Sequence, residues 1–456
     1  MTVSYEQFLE NRRNIGCNSG FDPIFLPDYL FDFQKYLVEW AIRKGRGALF
    51  EDCGLGKTVQ QLVWARNIFL KTGKPVLIAA PLAVSLQTSY EAEKFGLECV
   101  RSTNGKVTGE TTITNYQKLH LFNPNDYSGV VCDESSILKS FDGKIKDLVT
   151  NFMRKVPYRL LATATAAPND YIELGTSSEA LGNIGFIDML NRFFKNDNNN
   201  TTMRRMYGET PKYRLKGHAE IPFWQWVTSW AIACRKPSDL GFEDGAFILP
   251  ELIENNIIVK STKLKEGCLL PVHAATLPEQ REEKRRTIED RCNKVFDLVN
   301  GRKDQCVIWC HLNDESKYLK NIIPDSVEIT GSDSDEKKEE TFISFSKGEV
   351  KRIITKPKIG AWGMNWQNCH HTITFVSHSY EQYYQAVRRF WRFGQKNNVE
   401  VDVVMSEGED RILKNLIRKN DAAIKMFENL VAVMNKSITI KKNHEKIEWS
   451  KPKWIK

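Results

Sequence analysis

The stretch Glu51-Asp52-Cys53-Gly54-Leu55-Gly56-Lys57-Thr58 decides how the rest of this chain is read. It follows an apolar run, Gly47-Ala48-Leu49-Phe50, that reads as a short buried strand, and it opens a helical pattern over Val59 to Phe69. Strand, glycine-rich turn and helix start is the geometry a phosphate-binding loop needs. Backbone N–H groups at the helix N-terminus point at an anion, and glycines let the backbone approach it closely. Gly54, Leu55 and Gly56 would form the cradle, Lys57 would reach the β and γ phosphates, and Thr58 would hold Mg²⁺. The general pattern wants a further glycine five positions before Gly56, where this chain has Glu51. Segments downstream must therefore decide the reading.

Composition sets the outer bounds. At 456 residues the chain is too long for one ordinary core, and two or three domains are expected. With 41% hydrophobic and 27% charged residues it reads as soluble and globular. No apolar run reaches the eighteen residues of a membrane span, and the first residues, MTVSYEQFLENRRN, lack the pattern of a secretory signal. Ten cysteines at 17, 53, 99, 132, 234, 268, 292, 306, 310 and 369 form no Cys-x-x-Cys pair. Several lie in apolar runs, so they read as reduced, buried thiols of a cytoplasmic protein. Cys306-x-x-x-Cys310-His311 belongs to the run QCVIWCH, and alternate packing on a strand explains it better than a metal cluster. The net charge of +8 permits a polyanionic partner without requiring one. Lys436 to Lys456 carries seven lysines against two glutamates, which fits a solvated tail and nucleic-acid contact equally well.

Along the chain, residues 1–26 read as an extension. From Pro27, LPDYLFDFQKYLVEWAIRKG has helix-like apolar spacing with Gln34 on its polar side. After the loop and its helix, KPVLIAAP ending at Pro81 is a continuous apolar run of the parallel-sheet kind. The next strand, Thr111 to Tyr116, ends in polar groups that include Thr114 and Asn115. Then SGVVCDESSILKS delivers Asp133 and Glu134 to the C-terminal end of an apolar strand, where ligands bind in open α/β sheets. Alone, such a pair is usually a helix N-cap. Downstream of Gly-Lys-Thr it reads as catalytic, with Asp133 holding Mg²⁺ and Glu134 activating the attacking water. The run RLLATATAAPND ends in Thr163 and Thr165.

Residues 175–250 break the alternation. Lys195 to Arg205 reads as a mobile loop, Phe223 to Cys234 as an amphipathic helix, and Arg204, Arg205 and Lys216 are candidate nucleic-acid contacts. Leu249-Pro250-Glu251 looks like a hinge into a second parallel α/β unit, which includes a long charged helix from Pro278 to Gly301. Late in that unit, YEQYYQAVRRFWRFGQ places Arg389 and Arg392 three apart on a helical pattern, hence on one face. Opposite a phosphate site on another domain, they become candidate arginine fingers.

The order of these segments resembles the SWI/SNF-like ATPases of helicase superfamily two, especially the compact versions carried by phages and mobile elements. EDCGLGKT is similar to the family's Asp-Glu-x-Gly-Leu-Gly-Lys-Thr loop with its two acids exchanged, which explains the missing glycine. CDESS is similar to the Asp-Glu-x-x box, with Ser135 and Ser136 in place of Ala-His. TATAAPN resembles the Thr-Ala-Thr-Pro-x-x-Asn segment, with Ala166 for the usual proline. IGAWGMNWQ keeps Gly360, Gly363 and Asn365 of the Gly-Gly-x-Gly-x-Asn-Leu loop, and QAVRRFWRFGQ fits Gln-x-x-x-Arg-x-x-Arg-x-Gly-Gln.

The resemblance covers about residues 27 to 415 and implies an α/β fold of two tandem RecA-like parallel-sheet domains with a nucleotide cleft between them, plus a helical insertion. The implied divisions are a 1–26 extension, a 27–250 first domain with its insertion from about 175, a 251–425 second domain and a 426–456 basic tail. It implies an ATP- and Mg²⁺-dependent helicase or translocase on nucleic acid, most often DNA, acting as a monomer in the cytoplasm, or the host cytoplasm for a phage-encoded chain. The alternative is an ATP-driven switch or the ATPase subunit of a DNA modification, repair or recombination complex. Gln34 would contact adenine, and Gly363 and Gln395 would join the nucleotide side. Pro81, Thr114, Asn115, Thr163, Thr165 and Asn365 would contact nucleic acid or link hydrolysis to motion. Trp362, Trp366 and Trp391 add aromatic surface suited to stacking or to core packing.

Overall fold

Apolar runs such as Val76-Leu77-Ile78 and Val130-Val131-Cys132 have no polar face to offer water, and strands of that kind are stable only when covered on both sides. In a computed structural model, which describes residues 18–196, 213–262, 274, 276–359 and 366–445, they occupy two all-parallel sheets, one in each of two lobes.

The first lobe runs α1 (Asp32–Lys44), β1 (Arg46–Glu51), α2 (Lys57–Thr72), β2 (Val76–Ala80), α3 (Leu82–Lys94), β3 (Val100–Arg101), β4 (Thr111–Asn115), β5 (Gly129–Asp133), α4 (Lys144–Met153) and β6 (Tyr158–Thr163). The insertion follows as α5 (Leu174–Leu181), α6 (Phe186–Phe193), an antiparallel pair of β7 (Phe194–Asn196) and β8 (Tyr213–Leu215), α7 (Glu220–Thr228) and β9 (Ala231–Cys234). Its sheet is ordered β3-β4-β2-β5-β6-β1-β9. The register pairs Phe50 with Thr163 and Asp133 with Ala162, so the phosphate loop, the acidic pair and the threonine segment leave the sheet at one edge.

The insertion departs from its sequence reading. Phe223 to Cys234 is not one amphipathic helix: α7 stops at Thr228, and Ala231-Ile232-Ala233-Cys234 adds a seventh strand beside β1. A four-residue apolar run has no period of its own, and the open edge of β1 decides its state. The β9 strand end also anchors the phosphate loop, since the Asp52 N–H donates to the Cys234 carbonyl at 2.9 Å.

The second lobe runs β10 (Leu252–Val259), α8 (Leu277–Arg286), α9 (Ile288–Val299), β11 (Cys306–Trp309), α10 (Asn313–Ile322), β12 (Ser326–Glu328), α11 (Asp335–Ser346), β13 (Arg352–Thr355), β14 (His371–Phe375), α12 (Tyr380–Val387), β15 (Val399–Ser406) and α13 (Asp410–Glu445). Its order is β10-β15-β14-β11-β13-β12. The long charged helix expected from Pro278 is two helices, divided at Thr287, whose hydroxyl bonds back to the Glu283 carbonyl at 2.9 Å.

Packing does not follow a boundary at residue 426. Helix α13 is continuous from Asp410 to Glu445. Ile412 and Leu413 pack on the second lobe, whereas Met426, Phe427, Leu430 and Met434 belong to the apolar core of the first. The start of the stretch read as a basic tail, 426–434, is therefore core-forming helix. At the other end, Phe21, Phe25 and Leu26 of the supposed extension also pack on the first core.

Candidate active site

Gly54 (φ 88°) and Gly56 (φ 86°) both hold left-handed backbone conformations that favour glycine. Gly56 is the N-cap of α2, no side chain caps that end, and no acidic residue stands in its first turn. The first N–H groups of the helix are thus open toward an anion. Lys57 Nζ folds back onto the loop, donating to the carbonyls of Glu51 (2.8 Å) and Asp52 (2.9 Å). Thr58 is the second residue of the helix, on the same turn. Gln34, expected on a polar face, is buried: its Nε2 donates to the Leu55 carbonyl at 2.8 Å and its Oε1 accepts the Phe31 N–H at 3.1 Å. The carboxamide therefore braces the loop.

Two strands away, beyond β6, Asp133 and Glu134 are adjacent acids at the end of β5. Asp133 Oδ1 accepts from Gln61 Nε2 at 2.7 Å, and burial raises its pKa. Glu134 has φ 52°, the positive-φ non-glycine backbone among the described residues. Strain of this kind persists where the surroundings impose it, most often at functional sites. Burial, reinforced by the Asp133 carboxylate, pushes the Glu134 pKa up to about 7, the range a general base needs near neutral pH. Thr163 Oγ1 donates to Glu134 Oε2 at 3.4 Å and accepts the Thr165 N–H at 3.1 Å, so the threonine segment touches the acid directly.

The second lobe closes the site. Helix α12 ends at Val387, so Arg389 and Arg392 do not share a helical face as expected; they sit in the tight turn that follows. That turn lies on the phosphate loop: a Cβ built on Gly54 would stand 3.1 Å from the Phe393 nitrogen and 3.3 Å from the Arg392 Cβ. Arg389 is half-buried beside Arg392, and burial, helped by the Arg392 charge, lowers its pKa to about 10; the Glu134 charge acts in the opposite sense. Arg392 Nε is buried without a hydrogen-bond partner. Lys57, Arg389 and Arg392 thus surround a site bordered by a base, an arrangement suited to stabilising a transferring phosphoryl group.

Other expected residues fall elsewhere. Gln395 is buried and fully used within its own lobe, donating to the Cys369 and Phe390 carbonyls and accepting from the Lys396 and Asn397 N–H groups, so it shapes the arginine turn and does not face a nucleotide. Pro81 is the N-cap of α3, Asn115 caps a 3-10 turn by accepting the Lys118 N–H at 3.1 Å, and Thr114 Oγ1 is buried and unpartnered. Lys216 Nζ bonds the Asn191 and Arg192 carbonyls. Trp366 is fully buried in the second core. Gly360, Trp362, Gly363, Asn365, Arg204 and Arg205 lie outside the described residues.

Sequence reasoning passed over four contacts between the lobes. Arg388 and Tyr384 both bind the Asp52 carboxylate, and Glu381 binds Ser136 (2.6 Å) and Lys139. The only signal was a third arginine in VRRFWR, with nothing to separate it from a solvated charge.

Known proteins share parts of this chain. Residues 270–394 match the family described as helicase conserved C-terminal domain. The chain is 28% identical to the protein Helicase domino of Drosophila melanogaster over 177 residues, a span of 33% of this chain and 6% of that protein. Among solved structures, it aligns with the Sulfolobus solfataricus SWI2/SNF2 ATPase core in complex with dsDNA at 18% identity and a TM-score of 0.41, covering 90% of this chain and 96% of that one.

Proposed function

We propose that this chain is a nucleic-acid-dependent ATPase of the SWI/SNF-like kind, using ATP hydrolysis to move along or remodel nucleic acid, with duplex DNA as the first substrate to test. The observation that carries the reading is the seating of Arg392 and Phe393 on Gly54, with Arg389 beside the Glu134 charge, because it brings loop, base and arginines from two lobes into one cleft. The helicase C-terminal match over residues 270–394, which takes in Arg389 and Arg392, supports it.

In this mechanism the α2 N-terminus and Lys57 hold the phosphates. Glu134 takes a proton from a water as its oxygen attacks the γ-phosphorus, and the bond to the β-phosphate oxygen breaks. Arg389 and Arg392 neutralise the charge that builds on the transferring group. Thr58 and Asp133 would hold Mg²⁺, which supplies charge neutralisation on the phosphates. The donor set fits: a threonine hydroxyl and a carboxylate are hard oxygen ligands of the kind Mg²⁺ takes beside substrate phosphates and water. No helix among the described residues is long and apolar enough to cross a membrane. The bond from the Thr163 hydroxyl to Glu134, with the Thr165 N–H bound in turn to that hydroxyl, gives hydrolysis a path to lobe movement.

The test is ATP turnover with duplex DNA, single-stranded DNA and RNA. Stimulation by nucleic acid, lost in Lys57→Ala and Glu134→Gln, is the expected outcome. Unchanged turnover in either variant would overturn the assignment.

A further inference from the structure

Arg388 connects the two lobes and the arginine turn at once. Its Nε donates to Asp52 Oδ1 at 3.1 Å and its Nη2 binds Asp52 Oδ2, a forked pair between the second lobe and the phosphate loop. Its Nη1 donates to the Trp391 carbonyl at 2.9 Å, inside the turn that carries Arg389 and Arg392. The guanidinium also lies over the Trp391 ring, 4.6 Å from its centroid, and Trp391 Nε1 donates to the Pro250 carbonyl at the hinge, 2.7 Å away. Asp52 is equally fixed: its N–H is bound to Cys234 of β9, and its carboxylate takes a further bond from Tyr384.

We propose that Arg388 is a positioning residue for the reaction, using the Asp52 carboxylate as a fixed anchor to aim Arg389 and Arg392 at the phosphate site. The inference rests on the ATPase reading above and adds to it a residue with no direct part in the chemistry. A buried ion pair is weak evidence for stability, because desolvation cancels most of the attraction. Placed between two lobes, it gains its value from register: the fork is satisfied in one relative position of loop and turn. Arg388 is 4% exposed, and although burial opposes its charge, Asp52 outweighs that and holds its pKa above the ordinary arginine value. The pair forms one wall of a cavity of about 200 Å³ shared with Thr165, Tyr380 and Phe427.

The test compares Arg388→Ala and Asp52→Asn with the parent chain, measuring single-turnover ATP hydrolysis and nucleotide affinity separately. Asn keeps an oxygen for the Cys53 N–H, bonded at 2.7 Å to Asp52 Oδ1, while removing the charge. Both variants should lose turnover by about 10- to 100-fold, with nucleotide affinity within about twofold of the parent. In an Arg389→Ala background, Arg388→Ala should cost less than about threefold more, because its effect runs through the turn. Turnover within about twofold of the parent in both variants would overturn the proposal, as would affinity falling in step with turnover or full additivity with Arg389→Ala. A parent chain without ATPase activity would instead overturn the reading on which it rests.

Discussion

Gly54 of the phosphate loop and Arg392 of the second lobe approach so closely that a Cβ on the glycine would stand 3.3 Å from the Arg392 Cβ and 3.1 Å from the Phe393 nitrogen, tighter than ordinary contact. Gly54→Ala would meet both a left-handed φ of 88° and the incoming turn. The expected result is a folded protein whose ATP turnover falls by about 100-fold or more, read by hydrolysis alongside circular dichroism. A Gly54→Ala variant with parental turnover would show that the turn does not approach the loop during catalysis.

The acid limb of the pH–rate profile should belong to Glu134. Its folded pKa stands near 7, and a general base works only as the carboxylate, so kcat/KM should rise with pH up to about 7 and then level. Arg389 lowers that pKa and Glu381 raises it. Residual activity in Arg389→Ala should therefore show its limb at higher pH, and Glu381→Gln at lower pH. A limb that stays in place in both variants would assign it to another group.

Glu51, at the base of the phosphate loop, provides a stability test. Burial raises its pKa to about 7 from an ordinary 4.5, one oxygen accepts from Gln60 Nε2 at 2.8 Å, and the other has no partner. Because the folded state binds this proton more tightly, the contribution is full below about 4.5 and is lost as pH rises to about 7. Glu51→Gln should stabilise the protein at pH 8 by on the order of 2 kcal/mol, with little effect at pH 5, measured by denaturant titration at both pH values.

Glu381 ties α12 to the serines of the acidic box, binding Ser136 Oγ at 2.6 Å and Lys139. Ser136→Ala removes only the hydroxyl. Basal turnover should stay within about threefold, since the hydroxyl bonds Glu381 and none of Lys57, Glu134, Arg389 or Arg392, while stimulation by nucleic acid declines. Stimulation equal to the parent's would confine this contact to packing.

Leu430 lies far along the chain from the first-lobe elements it supports. Leu430→Ala should cost about 2–5 kcal/mol and raise amide exchange in β9, because α13 packs on α7 and β9 and Met434 Sδ accepts the Ala233 N–H. Unchanged protection in β9 would place the helix outside the first core.

Much of this was legible in the chain. The strand, loop and helix around Gly54 to Thr58, the acids after β5 and the two parallel sheets follow from apolar runs with fixed punctuation, each local in sequence. What escaped depends on long-range partners. Gln34 reads as a surface residue until Leu55 and Phe31 claim both ends of its carboxamide. Ala231 to Cys234 is too short for a period, and β1 decides its state. The turn after Val387 breaks a helical spacing that Arg389 and Arg392 otherwise satisfy. Arg388 acquires meaning only through Asp52, 336 positions away.

Helix α13 bears on the order in which the protein is made. Domains generally fold as units while the chain is synthesised, the N-terminal one first. Here Met426, Phe427, Leu430 and Met434 pack into the core that includes Leu30, so the face of β9 and α7 they cover stays open until these residues, translated after the whole second lobe, leave the ribosome. The lobe translated first is closed only after the second, and a message cut short within α13 would yield a chain with both sheets translated and the first core unsealed.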